Sequence, residues 1–328
     1  MVRSRELCEF RLIQNDDVAV PGSICVAVYR PDPVLLERQI SSIQNQTERG
    51  WNCHIGIDGA DEPTAALLQG LIAGDDRFVV HAFPENVGFY RNFERVLEAA
   101  DAASPWIALA DQDDYWYPEK IERLLSALMV DGVTLVSGQA RLVSPDGVES
   151  GITARHVRDL PALMLDNQVT GSFSIFRSSV LSAALPFPEP TDVAFHDHWL
   201  GVVAESLGNV VVVDEVLQDY IQHGNNVIGE ENGGAQVAKR FSALFARSKG
   251  VGASIRYIRD HRWGWRVEMA ELCIERIPAM GADKRRVLDT FAARKLSPRL
   301  IATVVTGIAR RDVKPLRGLA LLVGAAAS

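Results

Sequence analysis

The stretch that most limits how this chain can fold is Trp106-Ile107-Ala108-Leu109-Ala110-Asp111-Gln112-Asp113-Asp114-Tyr115-Trp116. Five uncharged, mostly apolar residues run straight into three carboxylates and then two aromatics. That is the pattern of a buried strand that stops at a charged mouth. Carboxylates crowded this closely repel one another unless a cation or a hydrogen-bond network intervenes, and a hard dication such as Mg²⁺ or Mn²⁺ is the usual remedy. Taken by itself, the stretch also reads as a polar turn before a helix opened by Pro118 and Glu119.

The flanking sequence supplies a framework for such a strand. A lead-in over residues 1–22 ends at Pro21-Gly22, and strands are expected at 23–29, 52–57 and 78–82. Helices are expected over 33–46, 62–73, 92–100 and 118–129, with Pro63 suited to a first turn. Strands alternating with helices indicate an α/β fold, a mostly parallel sheet with helices on both faces. Ligands of such sheets bind at the carboxyl ends of the strands, where Tyr29-Arg30, Asp58-Gly59 and Asp111 to Asp114 all fall. Further on, strands are expected at 134–138, 140–143, 169–176 and 210–213. Residues 195–207 read as a helix, 220–229 as a polar loop, and everything from 235 onward as helical. The 148–168 segment has no clear period.

The chain has 328 residues, 47% hydrophobic and 23% charged, which suits a soluble globular protein of one large or two modest domains. Cys8, Cys25, Cys53 and Cys273 show neither zinc nor disulfide spacing, pointing to a reducing compartment and a packing role. The first fifteen residues are too charged for a secretion signal, and no uncharged apolar run is long enough to span a bilayer. The net charge of −8 hides an asymmetry. Residues 235–328 carry 19 Lys+Arg against 7 Asp+Glu, or +12, which leaves −20 for residues 1–234. A basic helical tail suits an anionic surface, and a membrane leaflet fits better than nucleic acid because apolar content is high and aromatics are sparse. A helical subdomain with a solvated basic face is the plainer alternative.

Seven segments in order give the chain a family resemblance: Gln39 to Thr47, Asp58-Gly59, Glu85 to Phe93, Asp111 to Trp116, Gly171, His196-Asp197-His198-Trp199, and Tyr220 to Asn226. Together they resemble the family 2 glycosyltransferases of the GT-A fold, over roughly residues 23–229, and most of all the rhamnosyltransferase-like enzymes of surface polysaccharide assembly. The resemblance implies a Rossmann-like GT-A domain over 23–234, its nucleotide-binding half at about 23–117 and its acceptor half at about 118–234. A basic, mainly helical region over 235–328 completes the chain. It also implies inverting, metal-dependent transfer of a sugar from dTDP-rhamnose or a UDP-sugar to a saccharide or lipid-linked acceptor. The expected location is the cytoplasm, at the inner face of the plasma membrane if the basic tail engages lipid.

Residue chemistry gives the expected roles. A leaving diphosphate needs neutralising, and a metal held by one or two carboxylates does this. Asp111 and Asp113 fit that need, and the resemblance implies Asp113 as the first ligand and Asp111 as a second ligand or a contact to sugar or ribose; His223 lies where it could reach metal or diphosphate, and Asp114 is a supporting partner. Asp58 is placed to bind base or ribose, although the family commonly has two acids there and Ile57 stands in this chain. Asn86, Gly88 and Asn92 are nucleotide contacts, with helix capping open for Asn92. Asp197 occupies the place of the catalytic base, with an N-terminal cap as its plain alternative. His196 and His198 could also act as bases, and Trp116 and Trp199 either pack or line the acceptor groove. Two rivals stand beside this reading. A nucleotidyltransferase would carry a Gly-rich basic loop where Tyr29 to Pro33 stands, and a noncatalytic nucleotide-sugar binding protein would explain the departures at Ile57 and Ile221.

Overall fold

Asp32 shows how local chemistry starts each layer. Its carboxylate accepts hydrogen bonds from Val34 and Leu35 N–H groups, with Pro33 in the first turn, and so opens helix α1 (Pro33–Gln44) directly after strand β1 (Gly22–Val28). Asp61 and Pro63 repeat the device at α2 (Glu62–Leu71), which follows β2 (Trp51–Asp58). Strand β3 (Phe78–Phe83), helix α3 (Gly88–Ala99) and strand β4 (Trp106–Ala110) complete the first half. The computed structural model describes residues 20–59, 61–222 and 251–328.

The second half runs through β5 (Tyr115–Trp116), α4 (Lys120–Leu128), β6 (Val133–Val143), β7 (Glu149–Ile152), α5 (Leu160–Leu165) and β8 (Ser174–Arg177). Helices α6 (Ser178–Ala184) and α7 (His196–Leu207) and strand β9 (Asn209–Ile221) follow. The sheet order is β3-β2-β1-β4-β8-β6-β9-β5, with β7 on β6. Strands β1 to β4 are parallel as expected, with β1 paired to both β2 and β4. Beyond β4 the sheet is mixed, since β8 runs antiparallel to both β4 and β6 while β9 is parallel to β6. The expected strands at 134–138 and 140–143 are one continuous β6, and β9 runs eight residues past the expected end at 213. The irregular 148–168 segment holds β7 and α5.

Helices close the chain as expected: α8 (Val251–Tyr257), a π-helical turn (Ile258–Trp263), α9 (Gly264–Arg276), α10 (Ala282–Ala292), α11 (Pro298–Ala309) and α12 (Pro315–Ala326). Their apolar faces join the interior rather than forming a core of their own. One buried cluster holds Trp263, Trp265, Met269 and Phe291 together with Leu163, Trp199 and Val203. The other side of the sheet packs α1, α2 and α4 on Ile24, Val26, Ile55 and Ala108. Strand β4 therefore sits between two apolar layers, and all five of its residues are buried. Its polar continuation is the first point at which the chain leaves the interior.

Candidate active site

The turn after β4 is fixed from three sides. Gln112 pairs with the end of β1: its Oε1 accepts from the Tyr29 N–H at 2.9 Å and its Nε2 donates to the Tyr29 carbonyl at 3.3 Å. The α1 segment Gln39 to Thr47 brackets the other end. Ser42 Oγ accepts from Trp116 N, Gln46 bonds the Tyr117 carbonyl and the Ile121 amide, and Thr47 N donates to the Pro118 carbonyl. From beneath, Asp114 is buried and accepts from Gln218 Nε2 at 2.9 Å and Ile221 N at 3.2 Å, both on β9. Asp111 and Asp113 are left half-buried at the mouth.

Lys120, which the sequence reading passed over, lies under this turn and is 1% exposed. Its Nζ donates to the Ser172 carbonyl at 2.5 Å and to Gln218 Oε1, and it lies 3.7 Å from the centre of the Trp116 ring. Burial, then the neighbouring acids Asp111 and Asp113, raises the Asp114 carboxyl; burial lowers the Lys120 ammonium, opposed by attraction to Asp114 and Asp111. Burial first, and Asp113 next, likewise raises Asp111. One buried cation thus offsets part of a three-carboxylate cluster. Trp116 packs on it rather than facing a sugar, and Trp199 is wholly buried with its indole N–H on the Ala184 carbonyl.

Ser172 leads to the second acid. A Cβ on Gly171 would stand 2.8 Å from His196 Nε2, so only glycine lets this turn approach the start of α7 so closely. Asp197 accepts from Asn167 Nδ2 at 2.9 Å and from its neighbour His198 N at 2.7 Å, with the Gly171 amide as a further donor. Burial pushes its carboxyl up to about 6 in spite of these bonds. The negative charge of Asp197 is close enough to raise Asp111 as well. The two histidines beside it are held neutral, since burial lowers both to about 3. His198 Nε2 meets the Leu163 carbonyl at 2.7 Å and its Nδ1 accepts from Trp265, while His196 stacks on Phe93 with ring centres 4.0 Å apart. Neither suits a base operating near neutral pH.

The residues expected on the nucleotide side divide. Both Asp58 oxygens accept backbone amides, from Val87 and from Gly88, each at 2.8 Å, so the Asp58 turn and the start of α3 form one unit. Gly88 takes a φ of +81° that favours glycine, and Asn86 is exposed beside it. Asn92 is placed differently from the expectation. It is 1% exposed, in the body of α3 rather than at its cap, and its Nδ2 holds the Gly56 carbonyl at 3.0 Å. It ties α3 to β2. Arg91 pairs with Glu94 and Glu189. His223 lies outside the described residues.

Among the described residues no three His, Cys, Asp or Glu side chains form a metal cage. Asp111 and Asp113 suit a cation that takes its remaining ligands from water and diphosphate, as Mg²⁺ and Mn²⁺ do. Fold and site together define an α/β domain, a mixed sheet whose acidic turn ends the central parallel strand. Residues 23–182 match the family model described as Glycosyl transferase family 2.

The crystal structure of S. aureus TarS is similar, with a TM-score of 0.53 at 13% identity over 84% of this chain and 56% of that one. TarS residues 1–349 in complex with UDP give 0.50 at 14% identity, covering 89% and 92% of the two chains. The mannosyltransferase PcManGT from Pyrobaculum calidifontis, in complex with GDP-Man and Mn²⁺, gives 0.50 at 14% identity over 94% and 87%. At these identities the likeness is one of fold. A protein of Sinorhizobium fredii, uncharacterized protein y4gI, is 30% identical over 112 residues, which is 34% of this chain and 12% of that one.

Proposed function

We propose that the protein is an inverting glycosyltransferase that moves a sugar from a nucleoside diphosphate, dTDP-rhamnose or a UDP-sugar, to a hydroxyl of a saccharide or lipid-linked acceptor of bacterial surface polysaccharide. The observation that carries this is the linkage of two acids through one turn. Lys120 holds the Ser172 carbonyl beneath the Asp111–Asp114 turn, and the adjoining Gly171 packs against His196 and donates to Asp197.

Asp197 accepts the proton of the acceptor hydroxyl as that oxygen attacks the anomeric carbon on the face opposite the diphosphate. Asn167 and the Gly171 and His198 amides orient its carboxylate. Asp113 and Asp111 would hold a divalent cation, which would supply charge to offset that of the departing diphosphate. Asn86 and the Asp58-bound amides of Val87 and Gly88 shape the nucleotide side.

The departures at Ile57 and Ile221 take nothing from this arrangement. Both side chains are buried, and the Ile221 backbone serves Asp114. An acid at position 57 would face the interior, so its absence gives no support to a noncatalytic role.

The test is release of nucleoside diphosphate from a panel including dTDP-rhamnose, UDP-sugars and GDP-mannose, with Mn²⁺ and cell-envelope glycans as acceptors. Asp197→Asn is expected to lower turnover by about 10²–10⁴-fold while donor affinity stays within about threefold. Undiminished turnover by that variant would exclude Asp197 as the base.

A further inference from the structure

We infer that the outward faces of α11 and α12 form a bilayer-contact surface that seats the protein in the interface of an anionic lipid leaflet. The two helices are an antiparallel hairpin. A Cβ on Gly318 would lie 2.9 Å from Ile308 and 3.0 Å from Val304, and at the other end Leu296 N donates to the Ala325 carbonyl at 3.1 Å. Leu300, Val304 and Leu321 face the interior. The unusual feature is the opposite side.

On α11 the exposed positions Ile301, Ala302, Val305 and Ala309 recur at helical spacing, with Thr306 beside them and Arg299 at the start of the helix, so the solvent-facing stripe is largely apolar. On α12 the outward residues are Leu316, which is 82% exposed, and Leu319, which is 55% exposed. Leu296, just before the hairpin, and Val305 within it are 42% and 56% exposed. Single exposed leucines are ordinary, but a two-helix face without an exposed acid, its apolar positions continuous across both helices, is not.

Charge selects the occupant. Residues 294–328 contain seven Lys+Arg and a single acid, Asp312, which is buried on Arg158 at 3.0 Å. Arg294, Arg310 and Arg317 have carboxylate partners. Lys295 and Arg299 at one end of the hairpin, and Arg311 and Lys314 at the other, are exposed and make no ion pair among the described residues. An apolar face framed at both ends by cations, with no exposed acid, complements acyl chains beneath anionic headgroups.

Each helix has 12 residues, so it is about 18 Å long against a hydrocarbon core of about 30 Å. No helix of the described residues is long and apolar enough to cross a membrane. The hairpin therefore lies in the plane of the interface. This surface is independent of the proposed chemistry and is read without substrate.

The experiment is co-sedimentation of the full chain with phosphatidylcholine vesicles, alone or with about one-third phosphatidylglycerol, at low and high salt. Binding is expected only to the anionic vesicles and to weaken with salt. Arg311→Gln with Lys314→Gln should weaken it about twentyfold, and Leu316→Ser with Leu319→Ser about tenfold or more, with circular dichroism unchanged. Failure of the wild-type chain to bind anionic vesicles at low salt overturns the proposal. So does equal binding by both variants. A dimer by light scattering that the leucine variant dissolves, in a chain that ignores vesicles, would assign the face to self-association instead.

Discussion

In the proposed mechanism Asp197 is the base and Lys120 holds the acidic turn, and burial shifts their pKa values in opposite directions. The Asp197 carboxyl is raised to about 6, so kcat/KM is expected to fall about tenfold per unit below pH 6 and to level off above it, as a pH-rate profile will show. For stability the sign is reversed. A carboxyl raised above its unfolded value stabilises the fold below the unfolded pKa, and that contribution is lost as pH rises through 6. The buried charge then costs about 3 kcal/mol at pH 7. Asp197→Asn should thus unfold at higher denaturant than wild type at pH 7.5 but not at pH 4, even as it loses turnover. Lys120→Met should lower unfolding free energy by about 2–4 kcal/mol, because the Ser172 carbonyl and Gln218 Oε1 are left buried without their donor. The acidic turn at Asp111 to Asp114 was legible as carboxylates at the end of an apolar strand, whereas Asp197 was singled out only by the family resemblance, since an acid opening a helix otherwise reads as a cap. Lys120 and Gln218 were not legible: their 98-residue separation is closed only by the sheet, and a lysine in an amphipathic helix ordinarily reads as solvated.

The elements show why short motifs carry meaning. Gln39 to Thr47 was visible only as a familiar string, yet in space it is the bracket that fixes the turn from Trp116 to Ile121 by side-chain and backbone hydrogen bonds. Strand β4 and the parallel half followed from alternating apolar strands and capped helices. The mixed half was less legible because β6 and β9 are long strands whose polar residues look like turns; Asp219, for example, is held by Arg38, Arg141 and Tyr117 across the sheet. Asn92 misled for a related reason. An asparagine near a helix start suggests capping or ligand contact, whereas this one secures α3 to Gly56. Gly171→Ala tests the join between the halves. Its Cβ would displace His196 and with it Asp197, so turnover should fall at least tenfold while stability drops about 1–3 kcal/mol, measured by steady-state kinetics and urea unfolding.

For the molecule as a whole, the charge asymmetry suggested a separate basic region, but packing unites it with the acceptor half. Trp265 is wholly buried and its indole donates to His198, the neighbour of Asp197, while Arg266 bonds the Met164 and Leu165 carbonyls at the end of α5. Trp265→Ala should cost about 3–5 kcal/mol and leave a single cooperative unfolding transition; two transitions would mark an independent helical domain. In the proposed mechanism a divalent cation would join the acidic turn to a nucleotide-sugar, and calorimetric titration of the donor panel addresses that link most directly. At least one nucleotide-sugar is expected to bind wild type with Mn²⁺ and about tenfold or more weakly with EDTA or in Asp113→Ala, while Asp197→Asn keeps wild-type affinity. Donor binding indifferent to both the cation and Asp113, or no donor binding at all, would contradict it.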